Sequence, residues 1–344
     1  MKALVLKEYK QFVYDDVPEP ALLPDHVMIR VKACGICGSD VHGMDGSTGR
    51  RIPPIIMGHE ASGLIAEVGA EVRDFRPGDR VTFDSTVYCG SCFYCRRGEI
   101  NLCDKRRVLG VSCGEYRLHG AFADYVAIPE RVLYRLPDAL TFERAAMIEP
   151  CSIAFHAVNR CRLMLNDTVV VVGAGMIGLL VIQALRLAGC GHIFAIDVED
   201  PKLELACRLG ADAGLNSSRQ DAPAEIRRLT ENRGADASFE AVGITPAVQT
   251  AVACVRKGGQ VVLVGNLAPS IDFPLQAAVT RELTVLGCCA SRGEYRACLD
   301  MIAQGRMDVD VLMSATAPLA EGASWFKRLH AKERGLMKVV LKPE

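Results

Sequence analysis

Residues 168–178 read TVVVVGAGMIG, so a run of β-branched residues leads directly into glycines with the spacing G-x-G-x-x-G. This glycine pattern is weak evidence when it stands alone. Here a strand pattern precedes it, an apolar helical pattern over 176–188 follows it, and a second strand pattern over 192–197 ends on Asp197. The stretch therefore predicts the first strand–turn–helix unit of a doubly wound parallel sheet that binds a dinucleotide.

Each position of the predicted turn has a physical role. Gly173 permits the tight turn, Gly175 lets the backbone approach a pyrophosphate, and Gly178 allows the helix to pack closely against the strand. The helix N-terminus, which includes Ile177, presents N–H groups and a positive dipole to the phosphates. We therefore expect these four residues to bind the cofactor.

Asp197 indicates which dinucleotide is bound. Its carboxylate is placed to accept hydrogen bonds from the adenosine ribose hydroxyls. A 2′-phosphate would meet this negative charge, with Glu199 and Asp200 close behind it in the sequence. The sequence favours NAD over NADP.

The chain on either side of this unit predicts an α/β protein of two domains. From residue 168 strands alternate with helices, up to a last strand at 283–287, which is typical of a doubly wound sheet. Before about residue 149, Gly and Pro separate short β-like runs, as in an all-β, partly barrel-like domain, at 26–33, 61–68, 80–86 and 123–128. A helix pattern at 292–304 and a strand pattern at 337–341 are expected to return to this first domain. The predicted domains are 1–152 with 290–344, and 153–289.

Four cysteines with the spacing C-x2-C-x2-C-x7-C predict a closed metal site: Cys89, Cys92, Cys95 and Cys103. Four thiolates this close can surround one Zn²⁺ tetrahedrally and leave no open position, so the role would be structural, in a lobe over about 86–105. An iron–sulfur cluster is the main alternative.

A second group of metal-binding residue types lies earlier in the chain. Cys37 is in ACGICGSDVH, and His59 and Glu60 are in MGHEASG. Cys, His and carboxylate are all zinc ligands, and three protein ligands leave one position open, as a catalytic zinc requires. Taken singly, each residue is also compatible with an ordinary core role.

The order of these motifs resembles that of the medium-chain zinc-dependent alcohol dehydrogenases. The resemblance covers essentially the whole chain and implies a GroES-like catalytic domain, a Rossmann-type NAD-binding domain and two zinc ions per subunit. The stretch 147–156, MIEPCSIAFH, looks most like the polyol branch (sorbitol or L-iditol dehydrogenase), because Glu149 stands where the alcohol dehydrogenase branch has a cysteine ligand. By this resemblance Cys37 and His59 bind zinc, and Glu60 and Glu149 bind it directly or through water. Cys151 is the competing ligand.

The resemblance also implies roles for further residues. Ser39 and His42 match the positions of a proton relay, Glu149 offers a second proton route, and Asp40 orients a ligand. Lys202 matches a residue that contacts the ribose or adenine, although a solvated helix position explains it equally well. The nicotinamide half is expected along 264–266 and 288–290, with Val264, Asn266, Cys288 and Ala290.

The resemblance implies an enzyme that oxidises a secondary alcohol of a polyol to the ketone. Two departures from animal sorbitol dehydrogenases put sorbitol itself in doubt: the stretch 43–46 lacks an aromatic residue, and Ala290 and Ser291 replace an Arg–aromatic pair. Arg50 and Arg51 are predicted to be surface charges, with phosphate binding as the alternative. The sequence is also compatible with a threonine, 2,3-butanediol or polyol-phosphate dehydrogenase, and with a catalytically silent relative that binds NAD and zinc.

Bulk composition bears on partners and location. The formal net charge is -1, which gives no general attraction to nucleic acid or membranes. Fifteen cysteines and an N-terminal stretch without signal-peptide features predict a reducing, cytoplasmic location. The resemblance implies a homodimer or homotetramer, and the apolar stretch 279–287 is a candidate edge for subunit pairing.

Overall fold

The computed structural model describes residues 1–112 and 117–344. The strands, in chain order, are β1 (Lys2–Glu8), β2 (Gln11–Asp16), β3 (His26–Gly35), β4 (Ile55–Ile56), β5 (Glu60–Val68), β6 (Arg80–Phe83), β7 (Thr86–Val87), β8 (Arg107–Val108), β9 (Tyr125–Pro129), β10 (Leu133–Arg135), β11 (Thr168–Val172), β12 (His192–Asp197), β13 (Ala213–Asn216), β14 (Ala235–Glu240), β15 (Val255–Leu263), β16 (Thr284–Gly287), β17 (Met313–Pro318) and β18 (Lys338–Lys342).

The helices are α1 (Gly38–Gly43), α2 (Phe93–Arg96), α3 (Phe142–Ala146), α4 (Ile148–Arg160), α5 (Met176–Leu187), α6 (Asp200–Arg208), α7 (Ala222–Leu229), α8 (Thr245–Cys254), α9 (Leu275–Thr280), α10 (Tyr295–Ala303) and α11 (Gly322–His330). Short 3₁₀ turns lie at Ile100–Leu102, Glu130–Val132, Asp310–Leu312 and Leu319–Glu321. In the part of the chain that the structure describes, no helix combines the length and apolarity needed to span a membrane.

The chain divides into two compact units. The first comprises Met1–Glu149 and Arg292–Glu344, and the second comprises Pro150–Ser291. The C-terminal segment therefore belongs to the same unit as the N-terminal half of the chain.

The first unit is built on antiparallel strands. Its largest sheet has the order β10-β6-β5-β3-β18-β17, with β9 also paired to β3, and β17 runs parallel to β18. The long β3–β5 pair places Gly35 opposite Glu60, and β18 pairs with the same end of β3 through Val340. This register brings the segments that follow β3 and precede β5 together beside the C-terminal strand.

The second unit is a six-stranded parallel sheet with the order β13-β12-β11-β14-β15-β16. All five residues of β11 are buried, as expected for a strand with helices on both faces. The direction of winding reverses between β11 and β14, and ligands of such sheets bind at the carboxyl ends of the strands near that point. The predicted fold class, a β-rich unit and a doubly wound parallel sheet, is confirmed.

Candidate active site

Three of the predicted metal ligands lie together in the first unit. Cys37, His59 and Glu60 each place one ligand atom within 4.8 Å of the others, and we refer to them as the Cys–His–Glu site. The β3–β5 register positions them, because Cys37 follows β3 and Glu60 begins β5. Cys37 is also the N-cap of α1, where its sulfur accepts a hydrogen bond from the Ser39 N–H.

The donor set of this site fits a divalent cation. His59 is 6% exposed and Glu60 is 1% exposed. Among the described residues, Glu60 Oε1 is buried without a hydrogen-bond partner. Buried polar atoms are costly unless something pairs with them, and Cys, His and carboxylate donors suit zinc.

Glu149, at the start of α4, is not one of the three residues of the Cys–His–Glu site, but the charges of His59 and Glu60 act on its carboxyl group. Burial raises the pKa of Glu149 to about 7; the charge of His59 opposes the rise, and that of Glu60 adds to it. Ser85 Oγ donates to Glu149 Oε1 at 3.5 Å. Its binding to zinc stays a prediction. Cys151, the competing residue, is buried and belongs to the second unit.

Lys338 is a buried cation beside the site that the sequence did not reveal. This β18 side chain is 2% exposed, and its Nζ donates to Glu60 Oε2 and, at 3.0 Å, to the Ile36 carbonyl. A lysine in an apolar strand was the only sequence signal. Because Lys338 holds one oxygen of Glu60, the other oxygen, Oε1, is the one left for a metal.

Asp40 and Arg51 form a second buried ion pair next to the site. Arg51 donates to Asp40 Oδ1 from Nε at 3.1 Å and from Nη2 at 2.8 Å. Asp40 Oδ1 lies 3.5 Å from His59 Nδ1, as expected of a residue that orients a ligand. The prediction that Arg51 is a surface charge is wrong, because Arg51 is 2% exposed.

The predicted relay residues both lie on α1. Ser39 is exposed, and its Oγ donates to Cys37 Sγ at 3.2 Å. His42 is also exposed; partial burial of the ring and the nearby charge of Lys332 lower the pKa of His42. Their roles in a proton relay stay a prediction.

The four cysteines Cys89, Cys92, Cys95 and Cys103 form a second cluster, the four-cysteine site, with their sulfurs within 4.8 Å of one another. Cys89 and Cys95 Sγ are 4.0 Å apart. Four sulfurs held at about 2.3 Å from one zinc ion would be about 3.8 Å apart. Hydrogen bonds from backbone N–H groups of Ser91 and Cys92 lower the pKa of Cys89 to about 6, which favours a thiolate. The cluster fits a single ion.

In the second unit, the glycine turn leaves space for a ligand at one position only. Gly173 has φ +97°, and a Cβ on it would lie 2.5 Å from Val242 Cγ2. A Cβ on Gly178 would lie 1.8 Å from the Gly173 carbonyl oxygen. A Cβ on Gly175 would meet nothing within 4 Å, and Gly175 is also the N-cap of α5, without a capping side chain. This open cradle at a helix N-terminus fits a pyrophosphate.

Of the other predicted NAD residues, Lys202 lies in the first turn of α6, and the rest lie at or just after the carboxyl ends of the parallel strands. Asp197 ends β12 and accepts hydrogen bonds from the backbone N–H groups of Ala174 at 2.7 Å, Val198 at 2.8 Å and Glu199 at 3.1 Å. Lys202 forms an ion pair with Glu199 at 2.5 Å. The remaining four follow β15 or β16: Val264, Asn266, Cys288 and Ala290. The structure thus brings them to the sheet edge where dinucleotides bind.

Comparison with known proteins covers both units. Residues 23–138 match the family described as alcohol dehydrogenase GroES-like domain, and residues 177–304 match the family described as zinc-binding dehydrogenase. The chain is 34% identical to sorbitol dehydrogenase of Bacillus subtilis (strain 168), over 100% of this chain and 97% of that protein. It is 33% identical to D-arabitol-phosphate dehydrogenase of Enterococcus avium, over 93% of this chain and 91% of that protein. A similar solved structure is alcohol dehydrogenase TADH from Thermus sp. ATN1, with a TM-score of 0.93, 33% identity and 100% coverage of both chains.

Proposed function

Because this chain belongs to the medium-chain zinc-dependent alcohol dehydrogenase superfamily, in its polyol dehydrogenase-like branch, we propose that its substrate is an unphosphorylated polyol. The chain is a zinc-dependent, NAD-linked oxidoreductase, and the reaction converts a secondary alcohol to the ketone. The observation that carries the proposal is the Cys–His–Glu site, with the unpaired Oε1 of the buried Glu60 and a further, partly buried carboxyl, Glu149, close by.

The residues divide the chemistry between them. Zinc, when bound, polarises the substrate hydroxyl, and NAD accepts the hydride. Cys37, His59 and Glu60 would hold the catalytic zinc. Ser39 would take the substrate proton and pass it toward the exposed His42, while Glu149 offers a second base because burial raises its pKa to about 7.

The burial and the hydrogen bonds of Arg51 support an unphosphorylated substrate. Recognition of a phosphate by arginine needs a guanidinium whose N–H groups are available to the ligand. Arg51 is 2% exposed, and its Nη2 already donates to Asp40 and Ser39. A polyol phosphate would therefore need a different cation.

In the second unit, we propose that NAD binds over the glycine turn, with Gly173, Gly175, Ile177 and Gly178 around the pyrophosphate. Asp197 would accept from the ribose hydroxyls, because three backbone donors on two oxygens leave the carboxylate with acceptor capacity. Lys202, Val264, Asn266, Cys288 and Ala290 are proposed as further contacts.

We also propose that subunits pair through β16, as dimers or tetramers. This strand lies at the edge of the six-stranded sheet, and three of its four residues are exposed. Val285 is 38% exposed, and the nearby Val279 of α9 is 66% exposed. An apolar sheet edge of this kind is a ready surface for pairing with a second copy.

The test is NAD reduction, followed by absorbance, on polyols, polyol phosphates, diols, threonine and simple alcohols. Glu149→Ala is the test variant, and Glu67→Ala, an exposed glutamate on β5 of the same unit, is its matched control. We expect turnover of an unphosphorylated polyol that Glu149→Ala loses and Glu67→Ala keeps.

Different results would point to a different substrate or to no reaction. Activity on a polyol phosphate alone, on threonine or on butanediol would contradict the proposed substrate class while leaving the zinc and NAD chemistry in place. Binding of NAD and two zinc ions without turnover of any of these compounds would favour a catalytically silent protein.

A further inference from the structure

Arg51 is a buried cation of the first unit, and its side chain packs against Gly43. A Cβ on Gly43, at the end of α1, would lie 2.4 Å from Arg51 Cγ, so only glycine leaves room for the arginine side chain there. Both members of the ion pair are buried, with Asp40 at 0% and Arg51 at 2% exposure. A charge buried this deeply requires a partner, and the two donors to Asp40 Oδ1 supply it.

The guanidinium makes one more contact that charge pairing does not require. Arg51 Nη2 donates to Ser39 Oγ at 3.1 Å, and Ser39 Oγ in turn donates to Cys37 Sγ at 3.2 Å. A hydroxyl has one hydrogen and two acceptor sites. With its hydrogen on Cys37 and one acceptor site filled by Arg51, Ser39 retains one acceptor site for a substrate hydroxyl. To pass a proton toward His42, the hydroxyl of Ser39 turns its own hydrogen away from Cys37 as it accepts the substrate proton.

One planar cation therefore acts on two of the metal ligands. Through Asp40 it acts on His59, whose Nδ1 lies 3.5 Å from Asp40 Oδ1, and through Ser39 it acts on Cys37. An arginine can make these contacts together because its donors are spread over a rigid plane, whereas a lysine presents a single ammonium.

We propose that Arg51 is a positioning residue, which holds Asp40 and Ser39 in place behind His59 and Cys37. It thereby sets both the hold on the catalytic zinc and the orientation of the first group in the proton path. The second part of this inference rests on the proposed function. The first part concerns the metal site alone and is testable without a substrate.

The main test compares Arg51→Lys with Arg50→Lys, its exposed neighbour, in the zinc-loaded protein. Zinc transfer to a coloured chelator and thermal unfolding are measured on the same samples. We expect the Cys–His–Glu site of Arg51→Lys to bind zinc about 10 to 100 times more weakly in competition with the chelator, the usual effect of losing a residue that orients a metal ligand. The four-cysteine site of Arg51→Lys, and both sites of Arg50→Lys, should release zinc as the unmodified chain does.

A kinetic cycle tests the action through Ser39. We expect Arg51→Lys to lower kcat about tenfold or more, which is part of the roughly 100- to 10,000-fold that positioned proton transfer contributes. In a Ser39→Ala background the same substitution should lower kcat far less, because the group that Arg51 positions is gone. A purely structural role would lower kcat by the same factor in both backgrounds.

The inference is overturned if Arg51→Lys retains zinc and kcat at the level of Arg50→Lys. It is equally overturned if both zinc sites lose metal together with a lower melting temperature, since that is general destabilisation. If Arg51→Lys does not fold, Asp40→Asn/Arg51→Gln removes both buried charges at once, and the same selective loss of zinc is expected. If the unmodified chain oxidises no polyol, the proposed function fails, while the zinc comparison still decides the role of Arg51.

Discussion

Two glycines of the nucleotide turn, three residues apart, are expected to respond to the same substitution in opposite ways. Gly175 has φ −79° and ψ −170°, an extended conformation that alanine adopts freely, and its Cβ would meet nothing within 4 Å. On Gly178 the new Cβ would lie 1.8 Å from the Gly173 carbonyl oxygen. Gly175→Ala should therefore affect the ligand, and Gly178→Ala should affect the fold.

The magnitudes follow from these surroundings. Replacing glycine by alanine at a compatible position raises the free energy of unfolding by about 0.4–1 kcal/mol, so Gly175→Ala should be as stable as the unmodified chain or slightly more so. Its methyl group would occupy the cradle of the pyrophosphate, and we expect NADH affinity to fall at least about tenfold, or about 1.4 kcal/mol. For Gly178→Ala, a carbon–oxygen contact needs about 3.3 Å, so the helix or the turn must move by more than about 1 Å. Such overpacking costs about 1–3 kcal/mol of unfolding free energy.

The assay is a denaturant unfolding curve and a titration of NADH fluorescence on the same preparations. The two variants should separate cleanly, one with lowered affinity and full stability, the other with lowered stability. Gly175→Ala that binds NADH as tightly as the unmodified chain would refute the placement of the pyrophosphate. An unstable Gly175→Ala would refute the geometry of the turn.

Three further predictions concern the metal site and the sheet edge. In the zinc-free protein, Lys338→Met should lower the free energy of unfolding by about 3–5 kcal/mol in urea, because Glu60 is left as an unpaired buried charge, and Glu60→Leu/Lys338→Met should recover much of the loss. Because burial raises the pKa of Glu149 to about 7, a proton opposes any binding of zinc by this carboxyl below that pH. A chelator should therefore empty the Cys–His–Glu site faster as the pH falls from about 8 to about 6. It should empty this site before the four-cysteine site, and simultaneous release of both zinc ions would count against this. Val285→Arg should reduce the mass measured by light scattering, whereas an unchanged oligomer would place the subunit interface elsewhere.

The sequence predicted those strands and helices that a short stretch of neighbouring residues specifies. The first nucleotide unit was predicted almost to the residue, because the β-branched run and the glycine spacing are contained in one short stretch, and His192–Asp197 was found as predicted. Strand β13 was missed. Its sequence, AGLN, has almost no strand character of its own, and it forms by parallel pairing with β12 along four residues. Pairing partners distant in sequence cannot be read from composition.

The same distinction applies to the site. The Cys–His–Glu and four-cysteine groups were predicted because their residue types are unusual and their spacing is short. The two buried cations were not, because a lysine or arginine does not reveal its burial in a sequence. Lys338 reaches Glu60 across 278 positions of chain, and Arg51 was assigned to the surface on its residue type alone.

The charges around the Cys–His–Glu site explain why two cations, Lys338 and Arg51, are buried beside it. With zinc bound by a Cys37 thiolate and a neutral His59, three negative charges (Cys37, Glu60 and Asp40) face four positive charges (Lys338, Arg51 and the two of zinc). The sum is one net positive charge, and ionised Glu149 returns it to zero. Buried charge is tolerated only where it is balanced. Zinc should therefore favour the loss of the Glu149 proton. Binding of zinc and ionisation of Glu149 are then coupled even if Glu149 does not bind the metal directly.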